Sequence, residues 1–164
     1  MKLIIHDRDL SYETWLREKF QPEETDIITD NGTIKNCIGC FGCWVKTPGR
    51  CVLKDGYAKM GETMAHADEL ILISQCMYGT YSPFVRNVLD RCLPYIHPYF
   101  VKREHEIHHK PRYKNRLRIS AYFYGTCTQE EKKTAEKTVK ANVLNFNAIL
   151  KNIVFQERYE DIVW

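Results

Sequence analysis

The sequence predicts a three-layer αβα fold built around a doubly wound, parallel sheet of five strands. Five short apolar runs alternate with segments of helical pattern, which is typical of a parallel sheet with helices on both faces. The segment Glu69–Ser74 carries a continuous apolar run, as expected of a strand buried on both sides. The chain has 164 residues, a usual size for one domain, and we expect a single domain over residues 1–164.

The first two predicted strands flank a short helix. Lys2–His6 is short, apolar and β-branched, which favours a buried strand. A helical pattern covers Ser11–Phe20 and ends before Pro22, which cannot continue a helix. The second strand, Thr25–Thr29, is followed by the turn sequence Asp30-Asn31-Gly32.

The middle of the chain contains a loop, two helices and the third strand, Glu69–Ser74. Glycine and proline within Cys37–Cys51 indicate a loop. A helix is predicted over Asp55–His66, capped by its first residue. The helix Ser82–Tyr95 opens with Pro83, because a first-turn residue needs no backbone N–H.

The last part of the chain supplies two further strands, Leu117–Phe123 and Asn152–Gln156, separated by a helix from Thr128 to Leu150. The preceding stretch His97–Asn115 is predicted to be irregular. Right-handed crossovers favour the flavodoxin-like strand order 2-1-3-4-5. Ligands of such sheets bind outside the carboxyl ends of the strands. The loops at that edge are Asp7–Ser11, Asp30–Cys51, Cys76–Tyr81 and Tyr124–Thr128.

Composition and charge argue against several classes of protein. The net charge of +3 is too small to indicate a nucleic-acid partner. No apolar run approaches the roughly 20 residues that span a bilayer, and the opening residues do not resemble a signal peptide. We therefore expect a cytoplasmic protein with no membrane or nucleic-acid partner. For the basic, histidine-rich stretch His97–Arg116 we favour a solvated insertion that packs against a neighbouring subunit. The alternatives are a metal site, a nicotinamide-phosphate patch and an anion-binding surface.

Four of the seven cysteines follow the spacing Cys37-x2-Cys40-x2-Cys43-x7-Cys51. Clustered thiols in a reducing compartment indicate metal or redox chemistry rather than disulfides. Four thiolates suit a four-iron cluster and also tetrahedral Zn²⁺, and the spacing does not separate the two. The further alternative is a set of free thiols in a cofactor loop.

Several segments of the chain carry a resemblance to a known family. They are Cys37-Ile-Gly-Cys-Phe-Gly-Cys43, Pro48-Gly-Arg-Cys51, Asp55, Ala67-Asp68 and Tyr78-Gly79 through Leu89-Asp90-Arg91. They resemble the iron–sulfur flavoproteins, which belong to the NADPH-dependent FMN reductase group of flavodoxin-like proteins. The cysteine spacing and the stretch Tyr78–Arg91 are the most specific parts.

The resemblance implies FMN at the strand ends and a [4Fe-4S] cluster on Cys37, Cys40, Cys43 and Cys51. Backbone N–H groups near Gly79 and Gly125 would bind the ring's polar atoms, and Tyr78 would cover one ring face. The implied flavin-contacting residues are Cys76, Met77, Tyr78, Gly79, Thr80, Tyr124, Gly125 and Thr126. A homodimer or homotetramer is implied as well.

The first loop, Asp7–Ser11, departs from this family. Family members hold the FMN phosphate in a loop rich in Gly, Ser, Arg and Asn at a helix N-terminus. Here two carboxylates face the place of the phosphate, and no glycine is present. Arg8 and Ser11 are the residues expected to compensate.

Three functional hypotheses follow. The first is an FMN-dependent, NAD(P)H-linked oxidoreductase or electron-transfer flavoprotein, reduced by NAD(P)H or another electron carrier. The second is a flavodoxin-like binding module that has lost FMN and retains structural zinc. The third is a thiol redox protein that uses Cys37 and Cys40.

Overall fold

A computed structural model describes residues 1–103 and 105–162. Five parallel strands form the central sheet in the order β2-β1-β3-β6-β7, and a separate antiparallel pair joins β4 to β5. The strands are β1 Lys2–His6, β2 Thr25–Ile28, β3 Glu69–Gln75, β4 Ile96–Arg103, β5 Glu106–Pro111, β6 Arg118–Tyr124 and β7 Ile149–Gln156. With the inserted pair set aside, this is the predicted flavodoxin-like order 2-1-3-4-5, which is confirmed.

Five helices connect the strands: α1 Leu10–Lys19, α2 Gly42–Val45, α3 Met60–His66, α4 Pro83–Arg91 and α5 Gln129–Asn145. Side chains cap three of them. The Asp9 carboxylate caps α1, and the Ser82 hydroxyl caps α4 just before a proline in the first position. Thr128 and Glu131 form a reciprocal capping box at the start of α5.

The sheet separates two apolar layers, because alternate residues of each strand point to opposite faces. Leu70 and Leu72 of β3 pack towards α3, α4 and α5, with Val85 among their neighbours. Ile71 and Ile73 point the other way, into the cluster around α1. All four strand residues are buried, in agreement with the unbroken apolar run in the sequence.

Three predicted helix boundaries were wrong. The helix expected from Asp55 begins only at Met60, and the Asp55 carboxylate accepts from Arg91 and from the backbone N–H of Tyr57 in a turn that precedes the helix. The helix expected to reach Tyr95 ends at Arg91, and a short 3-10 turn containing Pro94 follows. The helix expected to reach Leu150 ends at Asn145, and β7 starts earlier than predicted.

The stretch predicted to be irregular instead forms the β4–β5 hairpin. This hairpin packs on the end of α5, where Arg103 donates to the carbonyl of Leu144 and His108 lies 3.2 Å from Asn145. Glu104, which the basic stretch includes, lies outside the described residues. Across the described part of the chain, every helix is too short or too polar to cross a membrane.

Candidate functional site

The carboxyl ends of β1, β3 and β6 are joined by one carboxylate. Asp7 accepts hydrogen bonds from the backbone N–H of Gln75 at 2.8 Å and from the Tyr124 hydroxyl at 2.8 Å. The Ser74 hydroxyl lies 3.3 Å from the same carboxylate. Because charged acceptors form the stronger hydrogen bonds, Asp7 fastens three strands at the edge where ligands of this fold bind.

The other residues of the first loop also make contacts within the chain. The Asp9 carboxylate accepts from the N–H of Tyr12 and from the hydroxyl of Ser11. The Arg8 guanidinium stacks on the ring of Tyr159 at 3.8 Å, and its buried Nε has no hydrogen-bond partner in the part of the chain that the structure describes. Both residues expected to bind a phosphate, Arg8 and Ser11, therefore have intramolecular contacts.

The loop after β3 is a tight turn. Met77 and Thr80 exchange backbone hydrogen bonds at 2.9 and 3.0 Å. The two central residues, Tyr78 and Gly79, have positive φ angles of 53° and 75°. In the described structure their N–H groups have no protein acceptor, and the Tyr78 side chain is 89% exposed. The turn thus presents two free donors and one aromatic ring.

The loop after β6 presents a second pair of donors. Gly125 has a φ of 97° and donates its N–H to the carbonyl of Glu157. The N–H groups of Thr126 and Cys127 have no acceptor among the described residues. Two neighbouring loops therefore carry backbone donors at the edge predicted to hold a ligand.

The two loops are in contact with each other. The N–H of Cys76 donates to the carbonyl of Tyr124 at 2.9 Å, which continues the β3–β6 ladder past its last strand residue. A Cβ added to Gly79 would lie 2.8 Å from the Cβ of Thr134, so α5 packs directly on the turn. The Cys127 thiol lies 3.7 Å from the carbonyl of Gly125 in the second of these loops. Sequence reasoning named Cys76 here but omitted Cys127 from the site.

The four clustered cysteines line one small cavity between the loop that contains α2 and the end of α4. Cys37 and Cys40 are exposed, Cys51 is half-buried and Cys43 is buried. The N–H of Gly42 donates to the Cys40 sulfur at 3.4 Å. Burial, followed by the nearby thiols of Cys51 and the two exposed cysteines, raises the pKa of Cys43 to about 11. All four cysteines line this cavity, and their assignment as metal ligands stays a prediction.

The cavity is too small to hold a cluster as it stands. Its volume is about 20 Å³, which is room for about one water molecule. Within residues 1–103 and 105–162, no three His, Cys, Asp or Glu side chains are arranged to hold a metal ion. The four cysteines thus line one cavity without forming a preformed metal site.

A buried ion pair supports the cysteine segment. Arg91 donates to both carboxylate oxygens of Asp55 at 2.7 Å and to the carbonyl of Lys35 at 2.8 Å. The hydrogen bonds from Arg91 lower the pKa of Asp55 to about 2. Arg91 lines the same small cavity as Cys51, and among the described residues its buried Nε has no hydrogen-bond partner. Sequence reasoning noted both residues in the resemblance but did not pair them.

The β4–β5 hairpin covers the cysteine segment from outside. The Trp44 indole N–H donates to the carbonyl of Ile96 at 3.0 Å, and its ring lies 4.6 Å from that of His109. Phe41 stacks on Trp44 at 5.4 Å. The basic stretch therefore packs within its own chain through these aromatic contacts.

Comparisons with known proteins support the fold alone. No protein-family model matches the sequence, and no curated protein matches it. The azoreductase AzrA is a similar solved structure, with a TM-score of 0.58 and 10% identity over 94% of this chain and 86% of that chain.

Two further similar structures are described as complexes with FMN. The FMN-dependent NADH-azoreductase of Bacillus anthracis has a TM-score of 0.55 and 13% identity, covering 99% of this chain and 89% of that chain. General stress protein 14 of Treponema denticola has a TM-score of 0.53 and 13% identity, covering 94% and 85%. Together with the sheet order, these likenesses show that the chain has the flavodoxin-like α/β fold.

Proposed function

We propose that this protein is an FMN-dependent, NAD(P)H-linked oxidoreductase or electron-transfer flavoprotein. The observation that carries the proposal is the set of free backbone donors on two adjoining loops: Tyr78, Gly79, Thr126 and Cys127. They lie at the carboxyl edge of β3 and β6, where this fold binds ligands. Two structures of similar fold are described as FMN complexes, which agrees with this assignment.

The two loops fit the ring of a flavin. Polar nitrogen and oxygen atoms at the ring edge accept hydrogen bonds, and backbone N–H groups supply them without a side chain that must be ordered. The exposed Tyr78 ring is available to stack on one face of the flavin. Bound flavin supplies hydride and single-electron chemistry, while the protein sets its orientation and electrostatic surroundings.

The first loop does not fit a phosphate dianion. The carboxylates of Asp7 and Asp9 stand at the β1 edge, and Asp9 already caps α1. A phosphate at that helix N-terminus would be repelled by both, whereas it would be attracted to an uncapped helix end. Arg8 is engaged with Tyr159 and lies 3.8 Å from Asp9. Flavin recognition in this proposal therefore depends on the ring.

The proposal is tested by titrating the protein with FMN and following NADH and NADPH oxidation with a quinone acceptor. Thr126→Pro removes one ring donor, whereas Thr126→Ala keeps it and serves as the matched control. One hydrogen bond contributes about 1 kcal/mol, so Thr126→Pro is expected to weaken FMN binding about fivefold relative to Thr126→Ala. Circular dichroism checks that both variants are folded. Absence of FMN binding and NAD(P)H oxidation in the wild type would contradict the proposal.

A second proposal concerns Cys37, Cys40, Cys43 and Cys51, which we assign as ligands of a [4Fe-4S] cluster. It is supported by their shared cavity and by the buried cation of Arg91 beside it. Because the cavity holds only about one water molecule, the exposed Cys37 and Cys40 must move outward as the centre assembles. A cluster there would pass electrons one at a time to or from the flavin.

Anaerobic reconstitution with iron and sulfide, in parallel with zinc, tests the cysteine centre. We expect iron uptake with an electron paramagnetic resonance signal after reduction. Cys43→Ser should lose the signal, whereas Cys92→Ser, at a buried cysteine of the helix core, should retain it. Stoichiometric zinc without iron uptake would overturn the cluster and support the zinc-containing binding module. We further propose NAD(P)H or a reduced electron carrier as the partner, assembly as a homodimer or homotetramer, and a cytoplasmic location.

A further inference from the structure

The carboxyl edge of β3 and β6 contains a pair of thiols that neither proposal uses. Gln75 and Tyr124 are paired in the sheet, and Cys76 follows directly on one strand. Cys127 lies three residues beyond Tyr124 on the other. Both cysteines are half-buried, so reagents from solvent can reach them. They are separate from the four clustered cysteines in sequence and in the cavity they line.

Backbone contacts hold the two loops together. The backbone N–H of Cys76 donates to the carbonyl of Tyr124, which places Cys76 beside the start of the loop that carries Cys127. The Cys127 sulfur lies 3.7 Å from the carbonyl of Gly125, the residue that follows Tyr124. After burial, Cys76 is the neighbour with the largest effect on the pKa of Cys127, so the two thiols lie close together. A disulfide requires two cysteines on such neighbouring segments.

We propose that Cys76 and Cys127 form a reversible dithiol–disulfide pair that exchanges with small-molecule disulfides such as oxidised glutathione. The inference does not depend on flavin or on a metal, since it requires only the contact between the two thiols. It assigns to the flavodoxin-like edge a two-electron redox site made entirely of side chains. Disulfide formation would also tie the β3 loop covalently to the β6 loop.

The exchange is balanced in two steps. The Cys76 thiolate attacks one sulfur of the external disulfide, which forms a mixed disulfide and releases one thiolate that takes up a proton. The Cys127 sulfur then attacks Cys76, loses its own proton and releases the second small thiol. Two protein thiols are oxidised to one disulfide, and one external disulfide is reduced to two thiols.

The surroundings assign the order of attack. Burial, together with the neighbouring Cys76 thiol, raises the pKa of Cys127 to about 12. Cys127 therefore keeps its proton near neutral pH, so we assign Cys76 as the sulfur that attacks first. Nearby Glu131 acts in the same direction on Cys127, whereas Lys132 opposes it.

The test uses the full-length protein in glutathione redox buffers, followed by alkylation of the remaining thiols, tryptic digestion and mass spectrometry. Cys76 falls in the tryptic peptide 60–86 and Cys127 in the peptide 119–132, each with no other cysteine. We expect these two peptides to become linked, with the loss of two alkylation labels. The variant Cys37→Ser/Cys40→Ser should give the same link, because the exposed pair is not involved.

Single variants separate the two roles. Cys127→Ser should accumulate a glutathione mixed disulfide at Cys76, whereas Cys76→Ser should slow modification of Cys127 at least tenfold. Retention of both alkylation labels at excess oxidised glutathione would overturn the proposal, and so would a link from Cys76 to Cys37 or Cys40. The near-ultraviolet circular dichroism of each variant confirms that the thiols are compared in a folded protein. Failure of FMN binding would leave this result unaffected.

Discussion

Replacement of Asp55 by asparagine probes the ion pair beneath the cysteine segment. Arg91 is fully buried at its side chain, and the Asp55 side chain is 4% exposed. Asn keeps the size of the residue but leaves the guanidinium as an uncompensated buried charge. Loss of one partner from such a pair costs about 3–5 kcal/mol. We expect the loss of stability in Asp55→Asn to lie near the lower end of this range, because the amide oxygen still accepts one hydrogen bond.

The pH dependence of stability gives an independent value for the contribution of this ion pair. The pKa of Asp55 is lowered from 3.8 to about 2 by its hydrogen bonds with Arg91. A depressed pKa stabilises the fold at pH values above 3.8, and this stabilisation is lost as the pH falls through 2. At 1.36 kcal/mol per pKa unit, the contribution at neutral pH is about 2 kcal/mol. The wild type should therefore lose its advantage over Asp55→Asn between about pH 4 and pH 2.

Urea unfolding from pH 7 to pH 2 measures both effects. A loss of about 3 kcal/mol corresponds to a fall in Tm of roughly 6–12 °C for a chain of this size. Asp68→Asn is the matched control, since the carboxylate of Asp68 also forms an ion pair but is 70% exposed. It should cost less than about 1 kcal/mol. A loss below about 1 kcal/mol for Asp55→Asn, or a difference that does not change with pH, would refute the reasoning.

Three other changes have defined outcomes. His6 is buried and its pKa is lowered to about 4 by desolvation, so the free energy of unfolding should fall by about 3 kcal/mol between pH 6.5 and pH 4. His6→Gln should flatten this slope in urea titrations. Gly79→Ala should lower the free energy of unfolding by about 2–4 kcal/mol in thermal unfolding, because the residue has φ 75° and its new Cβ would lie 2.8 Å from the Cβ of Thr134. Gly32→Ala, at φ 71° in open space, should lower it by about 1 kcal/mol. Asp7→Asn weakens the acceptor of the hydrogen bonds from the Gln75 N–H and the Tyr124 hydroxyl, each worth about 1 kcal/mol, and should lower the free energy of unfolding by about 1–2 kcal/mol in urea titrations; an unchanged stability would contradict the role of Asp7 at the strand ends.

The sheet was predictable because each strand is a local apolar run. Five runs, the right-handed crossover rule and the length of the chain lead to the observed strand order. The β4–β5 hairpin was not predictable in this way. Its partners are the end of α5 and Trp44, and such distant contacts leave no periodic pattern in the stretch itself. Tertiary contacts decided the structure there.

The grouping of the cysteines was predictable from their spacing, since all four line one cavity. Within the described residues no three of them are arranged to hold a metal ion, so their assignment as ligands stays a prediction. The Asp55–Arg91 pair joins residues 36 positions apart, so it became visible only once α4 and the cysteine segment were placed together. The sequence showed that the first loop is acidic, but not that Asp7 fastens β3 and β6. That role depends on strand register, which the apolar runs alone do not specify.

Helix α5 extends from the turn after β3 to the β4–β5 hairpin. Its N-terminal part packs on Gly79, and its last turn contacts the hairpin that covers the cysteine segment. At 1.5 Å per residue, the 17 residues of Gln129–Asn145 extend over about 25 Å. Spin labels at the two ends of α5 would therefore define a fixed reference distance. Any movement of the hairpin on redox change can be measured against this distance, separately from changes at the strand edge proposed to bind flavin.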